Sequence, residues 1–153
     1  MDLILWRHAE AEDAQNGQTD LQRALTSRGD KQAARVAAWL DRQLPESARI
    51  LCSPALRCEQ TVVALGRKYK LREELAPDAS ADGILQLVQW PSAKQAVLVV
   101  GHQPSLGAVV AQLLQLKQPG CPMRKGAAWW LRTRERDGHE QTLVMAVQSP
   151  DSC

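Results

Sequence analysis

The chain has 153 residues, with 19 Lys and Arg against 17 Asp and Glu, 44% hydrophobic and 24% charged. That length suits one domain with its own core, and the balanced charge gives no reason to invoke nucleic acid or an anionic membrane. No stretch reaches the ~20 apolar residues of a membrane span, no signal-peptide pattern opens the chain, and the four cysteines fit neither a disulfide framework nor a structural zinc pairing, so the expectation is a cytoplasmic protein with reduced thiols and Cys52 buried.

Leu3-Ile4-Leu5-Trp6 is an apolar run rich in strand formers that breaks into Arg7-His8. This is the pattern of a buried strand delivering polar groups to the end of a sheet. The polar stretch Glu10 to Arg23 is read as a loop over one end of that sheet. Thr26 or Ser27 then caps a long helix whose Ala33, Val36, Ala37, Leu40 and Leu44 share a face, and Pro45 ends it. Arg49 to Cys52 predicts a second buried strand. Ser53 as cap and Pro54 at the first helical position predict a helix directly after it, with Arg57 in the first turn and an apolar stripe through Cys58, Val62, Leu65 and Tyr69.

Leu71 to Pro77 suggests a short strand, Asp78 to Asp82 a loop with a capping residue, and Ile84, Leu87 and Val88 a short helix ending near Trp90-Pro91. Ala96-Val97-Leu98-Val99-Val100-Gly101-His102 is an unbroken run typical of the centre of a parallel sheet. A helix opening at Pro104-Ser105 follows, with Leu106, Val109, Val110, Leu113 and Leu116 on one face, and then a loop from Lys117 to Lys125. Ala127 to Thr133 and Thr142 to Val147 predict an edge hairpin turning at Asp137-Gly138, with His139 a solvated loop residue. Phe is absent while Trp occurs five times, so indoles should carry core packing usually given to Phe.

Three times a buried strand ends in a cationic or imidazole side chain: Arg7-His8, Cys52-Ser53-Pro54 leading to Arg57, and Gly101-His102. In an α/β sheet, ligands bind in the crevice beyond the carboxyl ends of the strands, so the four side chains converge if the strands are parallel and adjacent. Two arginines and two histidines around one point suit a dianionic tetrahedral group, which such a cluster can stabilise without a metal. Covalent catalysis would need a histidine as nucleophile, because arginine stays protonated. Chemistry alone does not choose between His8 and His102.

Arg7-His8-Ala9-Glu10, Leu25-Thr26-x-x-Gly29, Ser53-Pro54-x-x-Arg57-x-x-Gln60-Thr61 and Gly101-His102-x-Pro104, in that order, resemble the histidine phosphatase superfamily, and the short chain resembles its small bacterial phosphohistidine phosphatase (SixA-type) branch. The resemblance implies a three-layer α/β fold of phosphoglycerate mutase type, with a mostly parallel central sheet flanked by helices and no large lid. It implies that His8 is transiently phosphorylated, that Arg7, Arg57 and His102 hold the phosphoryl oxygens, and that neither cofactor nor metal is required. Ala9 departs from the glycine usual in the wider superfamily and is read as a branch marker.

Superfamily members that cleave alcohol esters use a glutamate as general acid, and the position it would take here offers Asp78, while Glu10, Glu12 and Asp13 are further carboxylates without a ranking. Only 44 residues separate Arg57 from His102, too few for a substantial lid. An open site favours a phosphohistidine displayed on a protein, such as a phosphotransfer domain or a phosphotransferase carrier, with the enzyme a monomer. Three alternatives accompany that reading: a small phosphate monoester as substrate, a non-catalytic phosphate-binding module, and zinc held by His8, His102 and Cys52.

Overall fold

A computed structural model describes residues 1–153. Its strands are β1 (Asp2–Arg7), β2 (Arg49–Cys52), β3 (Lys70–Leu71), β4 (Val97–Gly101), β5 (Ala128–Arg136) and β6 (His139–Gln148), and its helices are α1 (Ser27–Gln43), α2 (Leu56–Val63), α3 (Ala81–Leu87) and α4 (Ser105–Leu113). One sheet runs β3-β2-β4-β1-β5-β6. Its first four strands are parallel, and the β5–β6 hairpin adds antiparallel strands at one edge.

Alternation along the parallel strands builds the layers, because successive side chains leave a strand on opposite faces. Ile4, Trp6, Ile50, Cys52, Leu98 and Val100 face Val36, Ala37 and Leu40 of α1 and Cys58 and Val62 of α2. Leu3, Leu5, Leu51, Val97 and Val99 face Ile84 of α3 and Leu106, Val109 and Val110 of α4. Each fully buried aliphatic side chain contributes about 1.5–3 kcal/mol, so the two layers of contacts fix the central strands rigidly. Indoles do replace phenyl rings: Trp6 is fully buried, and Trp130 meets Trp39 edge to face at 6.3 Å. No helix is long and apolar enough to cross a membrane.

Several boundaries differ from the sequence expectation for local reasons. The helix after β2 begins at Leu56 rather than at Pro54, because the Ser53 hydroxyl is engaged with His102 and accepts the Ala55 N–H within a turn instead of capping a helix. It ends at Val63, and the chain turns through Gly66 at φ +71°, so Tyr69 lies beyond the helix with its hydroxyl donating to Glu59. Of the strand expected from Leu71 to Pro77 only Leu71 forms, pairing with β2 together with Lys70, and Glu73–Leu75 winds into a 3₁₀ turn. α4 stops at Leu113, which leaves Leu116 exposed. The hairpin is longer than expected, so His139 is an exposed first residue of β6 opposite Arg136 and not a loop residue. Its turn has Asp137 and Gly138 both at positive φ, 52° and 78°, the backbone a two-residue hairpin turn requires.

Candidate active site

Register places the three strand ends at one level. Arg7 pairs with Gly101 and Cys52 with Val100, and the ladder continues one step further as His8 N–H donates to Gly101 O at 3.1 Å and Ser53 N–H to Val100 O at 3.0 Å. The structure therefore brings together the groups whose convergence the sequence made conditional on adjacent parallel strands. The His8 and His102 rings lie 5.3 Å apart, centroid to centroid, and an Arg57 guanidinium nitrogen comes within 3.3 Å of His102 Nδ1.

His8 is 9% exposed, and its Nδ1 lies 2.8 Å from the Ala9 carbonyl. A carbonyl only accepts, so Nδ1 carries the proton; Nε2 is then a bare lone pair with no hydrogen-bond partner. Burial, and then the charges of Arg57 and Arg7, push the His8 pKa down from 6.5 to about 4, against the opposing pull of the Ala9 carbonyl. The imidazole is neutral at neutral pH. His102 differs, because both of its nitrogens are engaged: Nε2 is 2.7 Å from Ser53 Oγ, with Cys58 Sγ at 3.5 Å, and Nδ1 faces Arg57. Burial first and Arg57 second lower its pKa from 6.5 to about 3.

The two arginines are held by acceptors that leave donors over. Arg7 donates from one terminal nitrogen to Met123 O at 2.7 Å. Arg57, 4% exposed, donates to the carbonyl and carboxylate of Asp20 at 2.8 and 3.0 Å. The Nε–H groups of both are buried and have no partner. A buried donor left unmade costs about 1–3 kcal/mol, so two of them at one place mark a site shaped for an anion and not for folding stability.

The quoted sequence segments prove to be the scaffold around these groups. Thr61 Oγ1 accepts the Ala9 N–H at 3.1 Å and donates to Arg57 O at 2.7 Å, linking the segment after β1 to α2. Gln60 holds the Leu25 N–H at 2.7 Å. Thr26 caps α1 by accepting the Gly29 N–H, and a Cβ at residue 29 would strike the Glu10 carbonyl oxygen, so a glycine is needed for α1 to approach the site this closely.

Gly126, at φ +75°, donates to His8 O and accepts from Trp6 Nε1 at 2.9 Å. Sequence reasoning missed Asp20, Ser53 as a partner of His102, and the Met123 carbonyl. Asp20 stood among similar acids in a polar loop, and a backbone carbonyl leaves no mark in a sequence.

The remaining candidates make no side-chain hydrogen bond to these four groups. Asp78 is exposed and makes no hydrogen bond, although its neighbour Ala79 is tied by its carbonyl to Ser105 Oγ at the start of α4. Glu10 accepts the Thr26 hydroxyl at 2.8 Å, while Glu12 and Asp13 are exposed, with carboxylates that accept no hydrogen bond. His8, His102 and Cys52 do not form a zinc set: no three His, Cys, Asp or Glu side chains are placed to hold a metal ion. Cys52 faces the α1–α2 layer, and burial drives its thiol far above the usual range.

A sequence profile of the histidine phosphatase superfamily, branch 1, matches residues 3–79. Phosphohistidine phosphatase SixA of Escherichia coli is 32% identical over 78% of this chain and 78% of its own, and the SixA homologue of Haemophilus influenzae is 28% identical over 98% and 97%. The solved structure of the protein histidine phosphatase SixA complexed with tungstate superposes with a TM-score of 0.76 at 27% identity, covering 99% of this chain and 98% of that one.

Proposed function

The chain belongs to the histidine phosphatase superfamily, and we propose that it is a phosphohistidine phosphatase acting on a protein through a covalent phospho-His8 intermediate. What carries this reading is the pair of buried, unpartnered guanidinium Nε–H groups, Arg7 and Arg57, gathered with a histidine whose Nε2 is bare. Tungstate, the ligand of the related SixA, is a tetrahedral oxyanion of the kind such donors suit.

In the first step His8 Nε2 forms a bond to phosphorus as the bond from phosphorus to the substrate's imidazole nitrogen breaks, and that nitrogen takes up a proton from solvent water. Arg7, Arg57 and His102 hold the three phosphoryl oxygens, on which charge accumulates in the transition state. In the second step water attacks phospho-His8, its oxygen joins phosphorus, the P–N bond breaks and inorganic phosphate leaves. The two histidines divide the work according to their hydrogen bonds. His8, with Nε2 free, attacks, whereas His102, anchored on Ser53 through Nε2, joins the clamp by turning its Nδ1 from Arg57 to a phosphoryl oxygen as a protonated donor.

A neutral imidazole is a far better leaving group than an alkoxide, so strong general-acid help is not required. Where a general acid takes part, we propose Asp78 for that role. The segment between Arg57 and His102 holds only α2, β3, a 3₁₀ turn, α3 and the central strand β4, with nothing long enough to roof the site. This favours a phosphohistidine on the surface of a folded carrier, a phosphotransfer domain or a phosphotransferase carrier, met by a monomeric enzyme in the cytoplasm.

The test compares turnover of histidine-phosphorylated carrier proteins with a panel of sugar and nucleotide phosphates. Faster release from the carriers is expected, and acid-labile phosphate is expected to be trapped on the wild-type protein but not on His8→Ala. A preference for a small ester by orders of magnitude overturns the substrate assignment.

A further inference from the structure

Asp20 lies outside every motif that marks the site, yet it holds the most buried of the site's cations. Arg57 directs one terminal nitrogen to the Asp20 carbonyl at 2.8 Å and the other to its carboxylate at 3.0 Å. The carboxylate's second oxygen accepts from Arg23 at 3.1 Å, and Arg23 Nε is itself fixed on Glu12 O at 2.8 Å. Gln22 closes the short turn by accepting the Thr19 N–H at 2.8 Å.

The loop is thus built so that one residue presents two acceptors to one guanidinium. An ordinary surface ion pair joins two exposed side chains; here Arg57 is 4% exposed and Asp20 is 55% exposed. A guanidinium has five N–H donors. With two on Asp20 and one on His102, the plane of Arg57 is fixed and two donors are left over, the buried Nε–H and the second N–H of the nitrogen that meets the Asp20 carbonyl.

We propose that Asp20 is a positioning residue for the phosphoryl-transfer reaction, holding the Arg57 guanidinium in the orientation that meets the phosphoryl group. It touches neither the phosphoryl group nor His8 and acts through Arg57 alone. Without its carboxylate, α2 still carries Arg57 to the site and the residue-20 carbonyl still accepts one N–H, but the guanidinium loses the anchor that fixes its plane and spends less time aligned. The proposal rests on the reading that Arg57 clamps the phosphoryl group.

The experiment is a double-mutant cycle on a peptide phosphorylated on histidine by phosphoramidate, with kcat and KM measured for wild type, Asp20→Ala, Arg57→Ala and the double variant. Asp20→Ala should lower kcat by roughly tenfold or more with little change in KM, since misplacing a transition-state contact by about 1 Å costs up to ~10²-fold. In the Arg57→Ala background the same change should have no further effect. Asp20→Asn keeps an oxygen acceptor for Arg57 and should recover most of the loss.

The Asp20 side chain is exposed, so folding is not at stake, and unchanged melting temperatures check this. The proposal is overturned by an Asp20→Ala enzyme as fast as wild type, by an equal loss in the absence of Arg57, or by Asp20→Asn being as slow as Asp20→Ala. If Arg57→Ala itself is fully active, or wild type does not release phosphate from the peptide, the assignment of the site fails, and this inference fails with it.

Discussion

The two ends of β1 treat charge in opposite ways. At its amino end Asp2 receives two donors from Arg132 at 2.7 and 2.9 Å and the Trp130 indole at 3.1 Å, at the wetter side of the hairpin, and each group is satisfied. The Asp2 carboxyl is accordingly held below its usual range, chiefly by Arg132. At the carboxyl end Arg7 and Arg57 are drawn into the protein, each with a donor that nothing in the chain accepts, beside two histidines that burial keeps neutral. The first arrangement belongs to folding and contributes little; the second costs stability and makes sense only as preparation for an anion.

Substitutions can break or sharpen this contrast. The largest effect is expected from His8→Ala, which should abolish both turnover and the acid-labile phosphoenzyme, since no other site histidine has a free ring nitrogen; residual phosphoenzyme would shift the nucleophile to His102. Next comes Arg57→Ala, with a loss of roughly 10²-fold or more in kcat/KM from removal of preorganised charge. Because its guanidinium carries an unmade hydrogen bond, the same variant should melt close to wild type, and a large drop in melting temperature would mean that Arg57 serves the fold.

A smaller effect concerns pH. The folded protein keeps His8 and His102 neutral down to about 4 and about 3, while the unfolded chain protonates them near 6.5. The unfolded state therefore binds more protons below 6.5, and stability should fall as pH drops from 6.5 through 4. His102→Gln should flatten that slope in melting curves recorded across the range. Activity of the free enzyme should not show a His8 titration near 6.5. The smallest effect is expected at the other end of the strand: Arg132→Ala removes a half-exposed ion pair worth about 0.2–1 kcal/mol, a shift of only a few degrees in melting temperature, with no change in kcat.

The same contrast explains what could be read from the sequence. The central strands were legible because burial on both faces leaves continuous apolar runs, and Val97–Gly101 is the clearest of them. The placement of Arg7, His8 and His102 followed from where those runs stop. Ser53 misled, because serine before proline signals a helix start, whereas this hydroxyl is drawn to His102 and the helix begins three residues after it. Asp20 was invisible because its acceptor role depends on a fold-back that brings a polar loop against α2, and no periodicity records such a contact. Only the inner half of the hairpin is legible, since its outer half, with Arg134, Glu135, Glu140 and Gln141, is too polar to read as strand.

The segment from Lys117 to Gly126 serves the site almost entirely through its main chain. Met123 offers a carbonyl to Arg7, Cys121 offers one to Gln103 at 2.9 Å, and Gly126 uses its N–H for His8 and its carbonyl for Trp6. Peptide groups are the same whichever side chains they carry. Away from the buried Met123 and the left-handed Gly126, this stretch is free to drift in composition, but its residue count is not: one insertion or deletion would slide every carbonyl past its donor. The chemistry at the end of β1 is thereby tied to the number of residues in a distant loop more tightly than to their identity.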